Sequence, residues 1–151
     1  EQTGYIVSPV AAVVALVMMR WSLWAAVPAA LGGAILTLLS GGTAEQLLIY
    51  SAGNLLAMLA MLYLKLAGKE RVRANAVLTL VFAALIQLLM QFGRAAVALL
   101  WGHPLAACWD FITTDAMSIL FTMLIIWIVR RVEGLFEDQK HYLLRTAQER
   151  A

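Results

Sequence analysis

Apolar residues run along this chain in long unbroken stretches, and polar residues collect at their borders instead of alternating with them. Five stretches stand out: Tyr5–Met19, Leu23–Leu39, Ala44–Leu66, Ala74–Phe92 and Trp109–Val129. A hydrocarbon core about 30 Å thick needs roughly 20 helical residues at about 1.5 Å each. Continuous runs argue against a β-barrel, whose strands alternate lipid-facing and lumen-facing positions. The pattern predicts an all-α integral membrane bundle over residues 1–131, with five transmembrane helices, and an amphipathic cytoplasmic tail helix over 132–151.

Local signals place the joints. Ser8-Pro9 suits the first turn of a helix, and Ser22 suits an N-cap after Arg20-Trp21. Ser40-Gly-Gly-Thr-Ala44 reads as a turn in which Thr43 caps the third helix, and Gly68–Arg73 is the most basic loop. Gly93-Arg94 closes the fourth helix. Ala95–Trp101 is too short to span and reads as an interfacial helix or the tail of helix four, before the turn at Gly102-His103-Pro104. In the second helix Ala25, Ala29 and Gly33 form one small-residue row, and Ala26, Ala30 and Ala34 a second. Such rows let helix backbones approach closely in lipid. In the tail, Val132, Leu135, Phe136, Gln139 and Leu143 share a face, with charged residues around the rest.

The fifth helix departs from this greasy texture in its first half. Asp110, Thr114, Ser118 and Thr122 recur every four residues as one stripe with Asp115 at its edge, opposite Ile112, Ala116, Ile119, Leu120 and Met123. A carboxylate facing lipid is costly, so such groups face a bundle interior or a wet cavity.

Composition agrees with a membrane chain: of 151 residues, 63% are hydrophobic and 13% charged. The net charge of +2 is small and scattered, with no footprint for nucleic acid. A single cysteine, Cys108, excludes an internal disulfide. No signal peptide is visible. Charge placement sets orientation, because cytoplasmic loops are enriched in Lys and Arg. Lys65, Lys69, Arg71 and Arg73 put one loop inside, Arg130-Arg131 put the C-terminus inside, and Arg20 agrees. Arg94 is the exception. Residue 1 then falls outside, so a further transmembrane helix is expected before Glu1, making six.

With this topology the intramembrane polar residues lie toward the external face. The expected substrate-binding set is Asn54, Gln87, Gln91, Trp101, Trp109, Asp110, Thr114, Asp115 and Ser118, with His103 and the two tryptophans rimming the pocket. Buried carboxylates would favour a cationic or hydrogen-bond-donating solute. Gly-x-Ser-x-Gly, a phosphate loop and His-Glu-x-x-His are all absent, so no catalysis is assigned. His103 and Cys108 lack companion ligands, so neither a metal nor another cofactor is expected.

Val10-Ala-Ala-Val-Val-Ala-Leu-Val-Met-Met-Arg20, the small-residue helix with Gly32-Gly33, Gly53-Asn54 and the basic loop at 69–73 together resemble the substrate-binding S-components of energy-coupling-factor (ECF) vitamin transporters. The resemblance implies a bacterial inner-membrane protein of six helices that binds a small solute near the outer face. It also implies partners: a transmembrane coupling subunit and an ATPase pair, met through an Ala-x-x-x-Ala pair like Ala11 and Ala15. A second resemblance is to multi-helix membrane sensor domains, through Gly41-Gly-Thr-Ala-Glu-Gln-Leu-Leu and Ser51-Ala-Gly-Asn-Leu-Leu; a charged tail would suit a connector into a signalling module.

Overall fold

A computed structural model describes residues 7–150, so the expected helix start at Tyr5 lies outside the described residues. The chain is helical and, among the described residues, has no strand. Its helices are α1 (Val10–Trp21), α2 (Ala26–Leu39), α3 (Ala44–Asn54), α4 (Ala60–Ala67), α5 (Lys69–Ala74), α6 (Ala76–Leu100), α7 (Leu105–Thr113), α8 (Ala116–Val129) and α9 (Gln139–Glu149). Two 3₁₀ segments, Ser22–Ala25 and Leu55–Leu59, join α1 to α2 and α3 to α4. Among the described residues, four stretches are long and apolar enough to cross a membrane: Val10–Leu39, Ala44–Ala67, Ala76–Leu100 and Leu105–Val129.

The first of these is not one straight rod. Ser22 adopts φ +51°, which ends α1, and a Cβ on Gly32 would lie 2.7 Å from Cγ1 of Val10. Residues that far apart in sequence meet only if α1 and α2 fold back as a hairpin. Pro28 then sits in the first turn of α2, where its missing N–H is tolerated.

Helix α6 is the mast, touching α1, α3, α4, α5, α7 and α8. The apolar core gathers around it, with Met18, Met19, Phe82, Ile86, Met90 and Ile126 fully buried and Tyr63 stacked on Phe82 at 6.1 Å. Leucines and tryptophans such as Leu23, Trp24, Leu31 and Leu120 cover the exterior, as suits a bundle solvated by lipid. Of the two small-residue rows on α2, Ala25, Ala29 and Gly33 face inward and are buried, while Ala26, Ala30 and Ala34 are only half-buried.

Close packing fixes α3 from both sides. A Cβ on Gly33 would come within 2.4 Å of the Tyr50 carbonyl oxygen, and one on Gly53 within 2.6 Å of the Arg94 backbone. Backbones that touch leave no room for side chains, so glycine is required at both crossings.

The two ends of the bundle differ. At one, Arg20 donates to the Gly134 carbonyl and to Gln139, while Lys69 bridges Ser22 (2.8 Å) and Asp138 (2.6 Å). The tail departs from its expected form. Residues 130–138 are turns, Gly134 has φ +71° with the Tyr142 ring against it, and helix returns only at Gln139. Asp138 caps it, accepting from the N–H groups of Lys140 (3.1 Å) and His141 (3.4 Å). Phe136 is buried against Phe82, but Val132 and Leu135 are exposed, so the face drawn for one continuous helix is broken.

Candidate functional site

At the opposite end, four elements bring one polar cluster together. Arg94, in the last third of α6, is 2% exposed, a position that demands a partner in an apolar bundle. Its Nη1 meets the Asp115 carboxylate, its Nε donates to Asn54 Oδ1 at 2.8 Å, and its guanidinium lies 4.6 Å over the Tyr50 ring. Asn54 is fully buried and its amide also donates to the Ala29 carbonyl of α2 at 3.0 Å. The cluster thus ties α2, α3, α6 and the start of α8.

Asp115 reaches Arg94 because the last long stretch is interrupted there. Helix α7 ends at Thr113, and Asp115 takes φ −93°, ψ 12° before α8 begins. Its side chain makes no capping bond to its own helix and turns to Arg94 instead. This break overturns the single stripe expected from the sequence. Asp115, Ser118, Thr122 and Ile126 form the buried face of α8, whereas Asp110 and Thr114 on the α7 side are exposed.

Two hollows flank the cluster and share Tyr50 and Asp115 as walls. One, of about 220 Å³, is lined by Ser8, Thr37, Ser40, Gln46 and Arg94 among others. The other, of about 310 Å³, adds His103, Asp110, Phe111 and Thr114. Tyr50 meets Phe111 edge-on at 6.0 Å, and His103 faces Glu45 at 2.5 Å across the second mouth.

Of the nine expected residues, Asp110, Thr114 and Asp115 line a common hollow, and Asn54 stands behind it through Arg94. Gln87 and Gln91 are buried on α6 and wall neither hollow; both amide atoms of Gln91 lack a hydrogen-bond partner among the described residues. Ser118 is buried on α8 and accepts from the Ser8 N–H at 3.3 Å. Trp101 and Trp109 are 55% and 61% exposed and wall neither hollow, so they do not close the mouth as expected. Residues absent from that set are Tyr50, Arg94 and the hydroxyl group of Ser8, Thr37 and Ser40. A readable signal existed for one of them: Gln87, Gln91 and Arg94 fall at i, i+4 and i+7, one face of a helix.

Elsewhere, ligand atoms of Glu70, Glu137 and His141 lie within 4.8 Å of one another. Arg73 (2.6 Å) and Arg145 (3.4 Å) already supply positive charge to Glu137, so the group carries no metal assignment. No family model, no curated protein and no solved structure matches this chain.

Proposed function

We propose that this chain is a multi-pass bundle of the bacterial plasma membrane, crossing it five times, that holds a small polar solute at its external end. It would serve an ECF-type importer as the solute-binding subunit, with the coupling subunit and ATPases as separate partners. The observation that carries this reading is the pair of hollows built around the buried Arg94–Asp115 ion pair. Burying two charges in an apolar bundle costs more than burying matched apolar side chains, so such pairs are kept where they do something else. The α1–α2 hairpin supports the count of five crossings. Lys69, Arg71, Arg73, Arg130 and Arg131 sit at the far end from the hollows, which supports a cytoplasmic C-terminus and an external site.

The ion pair also refines the ligand. Arg94 neutralises Asp115, so the smaller hollow offers hydroxyls, an amide and the Tyr50 ring, a lining for a neutral solute with hydrogen-bonding groups. Asp110 on the larger hollow remains for a hydrogen-bond donor. The coupling contact implied for Ala11 and Ala15 does not carry over, because both are fully buried within the bundle. A thermal-shift screen of the purified protein against water-soluble vitamins and similar solutes tests the reading. A stabilising solute should lose most of its effect in Ser40→Ala when it occupies the smaller hollow, or in Asp110→Asn when it occupies the larger one. A solute that stabilises all three proteins equally, or an inert panel, would count against the site.

One observation favours a second reading, a sensory input domain. The tail is tied to the bundle by Lys69–Asp138, Arg73–Glu137 and Arg20–Gln139, so motion of the helices would reach α9 directly. Solute-dependent change in the distance between labels on α5 and α9 would support it.

A further inference from the structure

The end of the bundle remote from the solute hollows contains a third cavity, of about 440 Å³, walled by Arg73, Arg130, Arg131, Glu133, Glu137 and Arg145 with their neighbours. Its four arginines are not equivalent. Arg145 is held by Glu133 (3.2 Å), Glu137 (3.4 Å) and Glu149 (3.0 Å), and Arg73 by Glu137 (2.6 Å). Arg130 and Arg131 meet no carboxylate among the described residues. Each lies over the Trp127 ring instead, at 5.2 and 5.0 Å. Arg130 Nη1 is buried and has no hydrogen-bond partner among the described residues.

A buried guanidinium N–H without an acceptor is costly, and a second guanidinium beside it sharpens the need for an anion. Arg73 and Arg145 are already held by glutamates, so Arg130 and Arg131 are the guanidiniums left for an anion, matched to one phosphate and not to a polyanion. The arginine fork suits two phosphate oxygens at once. The site also stands where a lipid would present that group. Arg130 and Arg131 directly follow α8, whose outer face carries the exposed Leu124 and Ile128, and Trp127 marks the change from apolar to polar surroundings.

We propose that Arg130 and Arg131 bind a phosphate group in this cavity, and that an anionic phospholipid headgroup supplies it, with its acyl chains along α8. The site is separate from the solute reading and stands or falls without it.

The test uses the whole chain in neutral, phosphate-free detergent. Unfolding is followed by tryptophan fluorescence after adding phosphatidylglycerol, phosphatidylcholine, inorganic phosphate, or sodium chloride at matched ionic strength. Retained lipid is read by native mass spectrometry. Phosphatidylglycerol alone should raise the midpoint and stay bound, and Arg130→Gln/Arg131→Gln should retain about tenfold less of it, the equivalent of about 1.4 kcal/mol. If the double variant does not fold, Arg131→Gln at its exposed position and Arg130→Lys, which keeps charge but not the fork, should each weaken retention. Inorganic phosphate reproducing the shift would overturn the lipid assignment while keeping the anion site. Equal shifts with phosphatidylcholine or chloride, or undiminished retention by the variants, would overturn both.

Discussion

Gly93 of α6 lies against Gly53 of α3 so closely that a Cβ on Gly93 would fall 1.9 Å from the Gly53 carbonyl oxygen. The next residue is Arg94, and the next after Gly53 is Asn54, so this crossing sets the reach of the Arg94–Asn54 hydrogen bond. Alanine is the better helix former by about 1 kcal/mol, but it cannot fit without parting the helices. Gly93→Ala is therefore expected to lower stability by about 1–3 kcal/mol. Its thermal midpoint in detergent should drop, and a rise would contradict the crossing.

Arg94 and Asp115 should behave as a unit. Either Arg94→Gln or Asp115→Asn leaves a buried charge alone, a loss of about 3–5 kcal/mol by analogy with other buried pairs. Arg94→Met/Asp115→Leu removes both charges and should be more stable than either single variant. A double-mutant cycle on unfolding midpoints measures this; additive losses would mean that the two groups do not depend on each other.

Asp138 gives the tail a pH dependence. Partial burial acts to raise its pKa, but the hydrogen bond and charge of Lys69, then the N–H groups of His141 and Lys140, outweigh it, so the value lies below the ordinary 3.8. A carboxylate with a depressed folded pKa contributes stability above its unfolded pKa and loses it as pH falls through the folded one. Docking of α9 should thus hold at neutral pH and weaken below about pH 4. Hydrogen-exchange protection over 139–149, taken relative to the intrinsic amide rate at each pH, reads this directly. Asp138→Asn, which keeps a cap acceptor but not the charge facing Lys69, should lose part of this protection at neutral pH and depend less on acid.

Thr43 makes a capping box with Gln46: its hydroxyl accepts from the Gln46 N–H at 3.2 Å, and its own N–H donates to Gln46 Oε1 at 3.0 Å. Thr43→Ala is expected to cost about 1 kcal/mol. Because Gln46 also lines the smaller hollow, the variant should weaken any solute that uses that side chain more than one that contacts only Asp110. Isothermal titration on the two proteins would separate these cases.

Apolar run length made the helices legible, and the cap at Thr43 and the two small-residue rows of the second helix could be read from residue type and spacing, though not which row faces inward. Helix α6 continues past Phe92 to Leu100, so of the two readings of Ala95–Trp101 the fold takes the tail of the fourth helix. Gln91, Gly93 and Arg94 look like an ending because they are polar or flexible, yet they are interior residues facing neighbours: Gly93 meets α3 and Arg94 meets Asp115. That pairing joins residues from different helices, and no local period carries such information. The break at Thr114–Asp115 was hidden for a related reason: the backbone bends toward a partner that only the assembled bundle provides. Trp101 and Trp109 illustrate the converse, since aromatic side chains at a membrane border suit headgroups as well as a pocket mouth.

The 3₁₀ segment Leu55–Leu59 begins directly after Asn54. Five residues at about 2.0 Å and 120° each, against roughly 1.5 Å and 100° in an α-helix, make the rod about 2.5 Å longer and turn it about 100° further. Rewinding those residues would screw the part of the rod that carries Tyr50 and Asn54 about its own axis relative to the part that leads into Lys65 and Lys69. The two ends of the bundle are therefore joined by a thread whose pitch is set between them, and any change of that pitch would be felt at either end as rotation.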